Sequence, residues 1–210
     1  MKREIISLEK ASVILEPHYS NLVDCIYGGF EDYLKIKSFA SSFGKSVVYE
    51  GRTKGSLIHD HIKSRISDIY GENTLVEARK WNNIFALKIA DDIFIRFKKF
   101  DQRRHISNYK TEQHIKFMAQ SFIEGFPDEP TFIFAGYIPD RAWGTIKGVY
   151  IACWNGNEIE WFDEIGKYCI QQLNIFDIPA NQEEETRLKV RLKGKQQNKN
   201  DNNEKTGTNG

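Results

Sequence analysis

Near Gly71 the apolar residues of this chain change their spacing, and that change dictates the kind of fold available to it. Upstream, Tyr19, Leu22, Val23, Ile26, Phe30, Tyr33 and Leu34 recur at the 3.6-residue period of a helix face. Pro17 suits the first turn of that helix, SSFGK (41–45) its end, and Gly28 and Gly29 inside the pattern read as a kink. A second helix is expected from an N-cap at Thr53 or Ser56, with Ile58, Ile62, Ile66 and Ile69 on one face and Gly71 as the stop. Downstream, short runs rich in Val, Ile, Phe and Tyr alternate with turn residues.

TLVEARK, NIFALKIA and DIFIRFKKF read as three strands, separated by WNN and by Asp91. A helix is expected over roughly 110–124, with Ile115, Met118, Ala119 and Phe122 inward, followed by a loop at Pro127 and Pro130. TFIFAGYI, KGVYIACW and EIEWFDEI supply three more strands, the last two joined through Asn155-Gly156, a strong hairpin signal. The order α-α-β-β-β-α-β-β-β predicts an α+β fold: a single domain with N-terminal helices and a central helix packed on a mostly antiparallel sheet of about six strands. That domain is expected over 1–192. Residues 193–210, KGKQQNKNDNNEKTGTNG (with no large apolar side chain), read as a disordered polar tail, and NQEEETRLKVRLK before it as a short charged helix.

Composition narrows the function classes. The 30 basic and 29 acidic side chains leave a formal charge of +1, so a chain coated in positive charge for nucleic acid is excluded and any pull on phosphate must be local. Cys25, Cys153 and Cys169 are widely spaced, without CxxC or Cys/His spacing of zinc type, which points to reduced thiols in a cytoplasmic protein. The start, MKREIISLEK, has no apolar run of signal-peptide type, and no window approaches the roughly 20 apolar residues of a membrane span.

The local charge is in 92-DIFIRFKKFDQRRH-105. By alternation Ile93, Ile95, Phe97 and Lys99 face one way, and Phe94, Arg96, Lys98 and Phe100 the other. Arg96 and Lys98 then stand about 7 Å apart between two phenylalanines, a basic patch with aromatic walls that suits phosphate pairing and base stacking. Arg103, Arg104, His105 and Lys110 extend it. The same residues also fit a solvated strand face, since edge strands carry Lys against aggregation.

In 59-HDHI-62, His59 falls on one edge of the isoleucine stripe and His61 on the other, with Arg65 four residues on as its surface neighbour. Two histidines at i and i+2 of a helix diverge by roughly 200°, which speaks against a metal pair, so no metal and no cofactor are expected. His61 beside Arg65 fits proton transfer near a bound phosphate; boundary histidines hydrogen-bonded to backbone fit the pattern equally. No G-x-S-x-G, P-loop, GxGxxG or HExxH occurs. A restriction-type nuclease core has the right helix and strand order, but LKIADD and IRFKK lack the Glu-x-Lys that its metal chemistry requires.

The order His59-Asp60-His61-Ile62, Arg96-Phe97-Lys98-Lys99, Thr111-Glu112-Gln113, Gly136-Tyr137 resembles a group of uncharacterised small bacterial proteins that share it, over about residues 52–161. Phe100 stands where that group usually has leucine, and its proline before Thr-x-Gln is replaced around Asn108-Tyr109. The resemblance implies a gene neighbourhood of toxin–antitoxin type, with helix-turn-helix or zinc-peptidase-like regulators; it supplies context and no mechanism.

Two readings follow. In the first, the chain is an intracellular bacterial effector, the toxin of a two-gene module, acting on RNA or a nucleotide as a metal-independent enzyme. His61, Arg65 and Arg96 would carry the chemistry, and Lys98, Arg103, Arg104 and Gln113 would hold substrate. It requires His61 and Arg96 to share a pocket. In the second, the chain is a non-catalytic antitoxin or adaptor that binds a cognate regulator protein, for which Trp143, Trp154 and Trp161 would serve as interface anchors. Neither involves a membrane.

Overall fold

The computed structural model describes residues 3–43, 47–106 and 111–167, so the helix expected near 181–193 and the tail from 193 lie outside the described residues. The elements are α1 (Leu8–Leu15), a 3-10 turn (Glu16–His18), α2 (Tyr19–Ser42), α3 (Gly51–Tyr70), β1 (Val76–Trp81), β2 (Ile84–Ile89), β3 (Ile93–Lys99), α4 (Glu112–Met118), β4 (Thr131–Pro139), β5 (Ile146–Asn155) and β6 (Glu158–Glu164). The expected α+β fold is present. One six-stranded sheet runs in the order β1-β2-β3-β4-β5-β6, and α1 is an additional helix that sequence reading missed. Ser7 caps α1, its side chain accepting from the Lys10 N–H.

All neighbouring strands are antiparallel except β3 and β4, which run parallel with Arg96 beside Phe134, Lys98 beside Gly136 and Lys99 beside Tyr137. Two parallel strands cannot be joined by a tight turn, and the crossover between these two carries α4 across one face of the sheet. Helices α2 and α3 cover the other. The central strand β4 is therefore buried at all nine positions.

The two faces make separate cores. Ile58, Ile62, Ile66 and Tyr70 of α3 pack with Ile93, Ile95 and Phe97 and with Tyr33 and Tyr137. Phe94 and Phe100 pack with Phe117, Phe132, Phe134 and Trp154 on the α4 side. The alternation expected for β3 is thus the one observed.

Local differences have local reasons. Helix α3 begins at Gly51, with Glu50 making no side-chain cap, rather than at Thr53 or Ser56. Its inward stripe continues to Tyr70, and Ile69 is 44% exposed. Helix α2 runs unbroken through Gly28 and Gly29. They let α3 approach, for a Cβ at Gly29 would come within 2.9 Å of the Ile62 nitrogen. The central helix is shorter than expected and rotated: His114 and Phe117 are buried, while Ile115 and Phe122 are 53% and 52% exposed. Seven residues are too few for periodicity to set the phase when apolar residues occupy both sides. Trp154 and Trp161 lie in the core rather than at an interface, on opposite faces of the β5–β6 hairpin.

Candidate functional site

Arg96 projects from β3 to the α4 face. Its guanidinium carbon sits 4.8 Å from the centre of the Phe117 ring, and Phe117 packs on Phe134, the residue beside Arg96 on β4. His114, one turn before Phe117, meets the same Phe134 edge-on, with centroids 6.0 Å apart. Thr111 fixes this turn: its hydroxyl caps α4 by accepting from the His114 N–H. Lys98 follows Arg96 on the same face, beside Gly136, where a Cβ would collide with the Lys98 carbonyl oxygen. Gly136 thus allows the close strand approach at Lys98. Three of the quoted motifs therefore meet here, with Thr111 seating a histidine that sequence reading did not single out.

The pairing of β2 with β3 covers Leu87–Ile95, Lys88–Phe94 and Ile89–Ile93, and from Arg96 onward β3 pairs with β4 alone. The charges of Lys98 and Arg96 also act on His59 of α3.

The electrostatics are those of crowded cations. Burial brings Arg96 down to about 10. Burial, then the charge of Arg96, brings Lys98 down to about 8. Burial followed by Arg96 and Lys98 brings His114 down to about 4. Burial, then Lys98, with Lys63 and Arg96 adding and Asp60 opposing, brings His59 down to about 4. Among the described residues no ion pair joins Arg96, Lys98 or His114 to a carboxylate. Among the described residues, Arg96 Nη1 and His114 Nδ1 are buried with no hydrogen-bond partner. Buried polar groups without partners, beside two cations, have the chemistry that suits an anion.

Family models, curated proteins and solved structures were each compared with this chain, and none matches.

The expected partnership of His61 with Arg96 is not formed. His61 lies on the side of α3 that meets α2, with Nδ1 3.8 Å from Asp32 Oδ2. Arg65 donates to the same oxygen from Nε (2.9 Å) and Nη2 (2.7 Å). Partial burial raises the Asp32 carboxyl, but Arg65 and Lys35 outweigh it and hold the group below its usual range. His61 and Arg65 are neighbours, as their spacing requires, yet they clamp α3 to α2 on the face away from Arg96. The physical reason is the isoleucine stripe, which points α3 into the first core while Arg96 points into the second. Of the other expected substrate contacts, Gln113 is half-buried on α4 and Arg103 is exposed. Arg104 lies 4.9 Å from the Phe162 ring centre, with a positive φ of 67°. Lys110 is outside the described residues.

The signal that could have revealed His114 is its spacing. A histidine at i, Phe117 at i+3 and a capping threonine at i−3 place it on the inward side of a helix that starts at 112.

Proposed function

We propose that the chain is an intracellular bacterial effector of a two-gene toxin–antitoxin or defence module, and that it binds the phosphate of RNA or a nucleotide beside Arg96, Lys98 and His114. The observation that carries the binding part is the buried pair of cations, Arg96 and Lys98, beside two polar atoms without partners among the described residues, Arg96 Nη1 and His114 Nδ1. The module context rests on the resemblance of the motif order alone.

In this reading Arg96 and Lys98 neutralise phosphate oxygens, and the histidine role passes from His61 to His114. Its imidazole is neutral at neutral pH. A phosphate bound beside it cancels the repulsion from Arg96 and Lys98 and raises its affinity for protons. His114 and Lys98 are then the two groups that exchange the protons of metal-free RNA cleavage, in which the 2′-hydroxyl is the nucleophile and the 5′-oxygen must be protonated as it leaves. Lys98, brought down to about 8, is a second group able to exchange a proton near neutral pH.

The test is calorimetric titration of the purified chain with a short oligoribonucleotide, alongside growth after induced expression in bacteria. Arg96→Ala and His114→Ala are expected to weaken binding at least tenfold and to relieve any growth arrest, and His61→Ala to do neither. Binding that survives both substitutions would place the phosphate elsewhere.

A further inference from the structure

On the opposite face of the sheet, at the carboxyl ends of β3 and β4, a second group of residues shares the signs of a ligand site and has no part in the phosphate pocket. Trp143 lies in the loop between β4 and β5 at φ 56°, a left-handed conformation that a bulky side chain adopts only under constraint. The constraint is Asp140. Its Oδ1 accepts from the Gly144 N–H (2.7 Å) and the Thr145 N–H (3.1 Å), and its backbone oxygen from the Trp143 N–H (3.3 Å).

The indole so held has two ammonium groups over it, Lys54 of α3 at 5.3 Å and Lys99 of β3 at 5.2 Å from the ring centre. Neither lysine has a carboxylate partner among the described residues. Tyr33 packs edge-on against Trp143 with centroids 6.4 Å apart, and Tyr137 sits beside Lys99 in the sheet register. Tyr33 and Tyr137 are 0% and 2% exposed, and both hydroxyls are buried with no hydrogen-bond partner among the described residues. Buried hydroxyls without partners are uncommon in native proteins, because each forfeits the hydrogen bonds it made to water.

We infer that Tyr33, Tyr137, Trp143, Lys54 and Lys99 form a second binding site, for a small ligand that joins an aromatic ring to an anionic group, such as a mononucleotide. The lysines attract the anion, Trp143 offers an aromatic wall to the ring, and the phenols donate to the ligand's oxygen atoms. A backbone held under strain to present one aromatic residue, two cations without counter-ions and two orphaned hydroxyls would otherwise be three unrelated costs at one place. The site does not depend on the reading of Arg96 and His114, which point through the other face.

The experiment is titration of the full chain with AMP, read by calorimetry and by tryptophan fluorescence, with Trp143→Phe used to subtract the other three tryptophans. Expected are a saturable change in Trp143 emission, at least a tenfold loss of affinity in Lys54→Ala/Lys99→Ala, and a smaller loss in Tyr137→Phe. The change should persist in Arg96→Ala. Adenosine and inorganic phosphate, each with half of the chemistry, should bind more weakly than AMP. The inference is overturned if Trp143 emission does not respond to AMP, or if AMP binding is abolished by Arg96→Ala and untouched by the lysine pair. Thermal melting of each variant shows that it is folded, and Tyr137→Phe, which removes one oxygen from a buried ring, retains the packing should the lysine pair fail to fold.

Discussion

His59 and His114 are the residues whose protonation should be felt by the whole fold. Both are brought to about 4 from an ordinary 6.5, so between these values the unfolded chain binds more protons than the native one. Stability therefore rises with pH across that window and is lost as pH falls from about 6.5 toward 4. A displacement of that size corresponds to at most about 3 kcal/mol for either group, since both keep some contact with water. Chemical denaturation at a series of pH values checks this. The wild type should lose stability on acidification more steeply than His59→Gln or His114→Gln, and equal slopes would show that these histidines are not held neutral. Lys98 follows the same sign at higher pH: brought down to about 8 from 10.5, it keeps its full cost below pH 8 and releases it as pH climbs toward 10.5.

At the scale of elements, close approach and one buried amide hold the layers together. The Gly29→Ala substitution should cost about 1–3 kcal/mol, because the added methyl meets the Ile62 backbone nitrogen, which cannot retreat without moving α3. Gly28→Ala should cost less, since the atoms it meets belong to the end of the Arg65 side chain. Thermal melting of the two variants side by side tests the distinction, and equal losses would refute it. Gln120 does comparable work after α4. Fully buried, it donates from Nε2 to the Phe132 and Trp154 carbonyls (2.7 and 3.0 Å) and accepts from the Phe132 N–H (2.9 Å). Its amide bridges β4 and β5 where their own pairing has ended at Ile133 and Cys153. Gln120→Ala removes the partner of the Phe132 N–H and leaves the two carbonyls only the weak Cys153 thiol, and should cost about 2 kcal/mol in denaturant unfolding, whereas Gln102, an exposed glutamine that donates to the Pro139 carbonyl, should tolerate alanine with less loss.

For the whole molecule, the cationic pocket predicts that anions stabilise the fold. A ligand bound only by the native state raises stability in proportion to RT ln(1 + [L]/Kd), and phosphate should do so more than chloride at equal ionic strength. Arg96→Ala should abolish the difference between the two salts. Equal melting curves in phosphate and chloride would argue that the pocket holds no anion.

Most of the elements, and the faces of α3 and β3, are set by the sequence alone. Ile93, Ile95 and Phe97 alternate with Phe94, Arg96 and Lys98 because a strand has a period of two, and the isoleucines of α3 line up because a helix has a period near 3.6. Those periods act over neighbours in the chain, so they are legible without coordinates. They also placed His61 beside Arg65 correctly. Which face of the sheet each helix covers was decided only by tertiary structure. The parallel pairing of β3 with β4 sends α4 across one face, and α2 with α3 to the other, which separates His61 from Arg96 and brings His114 in its place. The phase of α4 was likewise beyond sequence reading: in a seven-residue helix, the aromatic shelf of Phe94, Phe132 and Phe134 decides which side turns inward, and it chose His114 and Phe117 over Ile115.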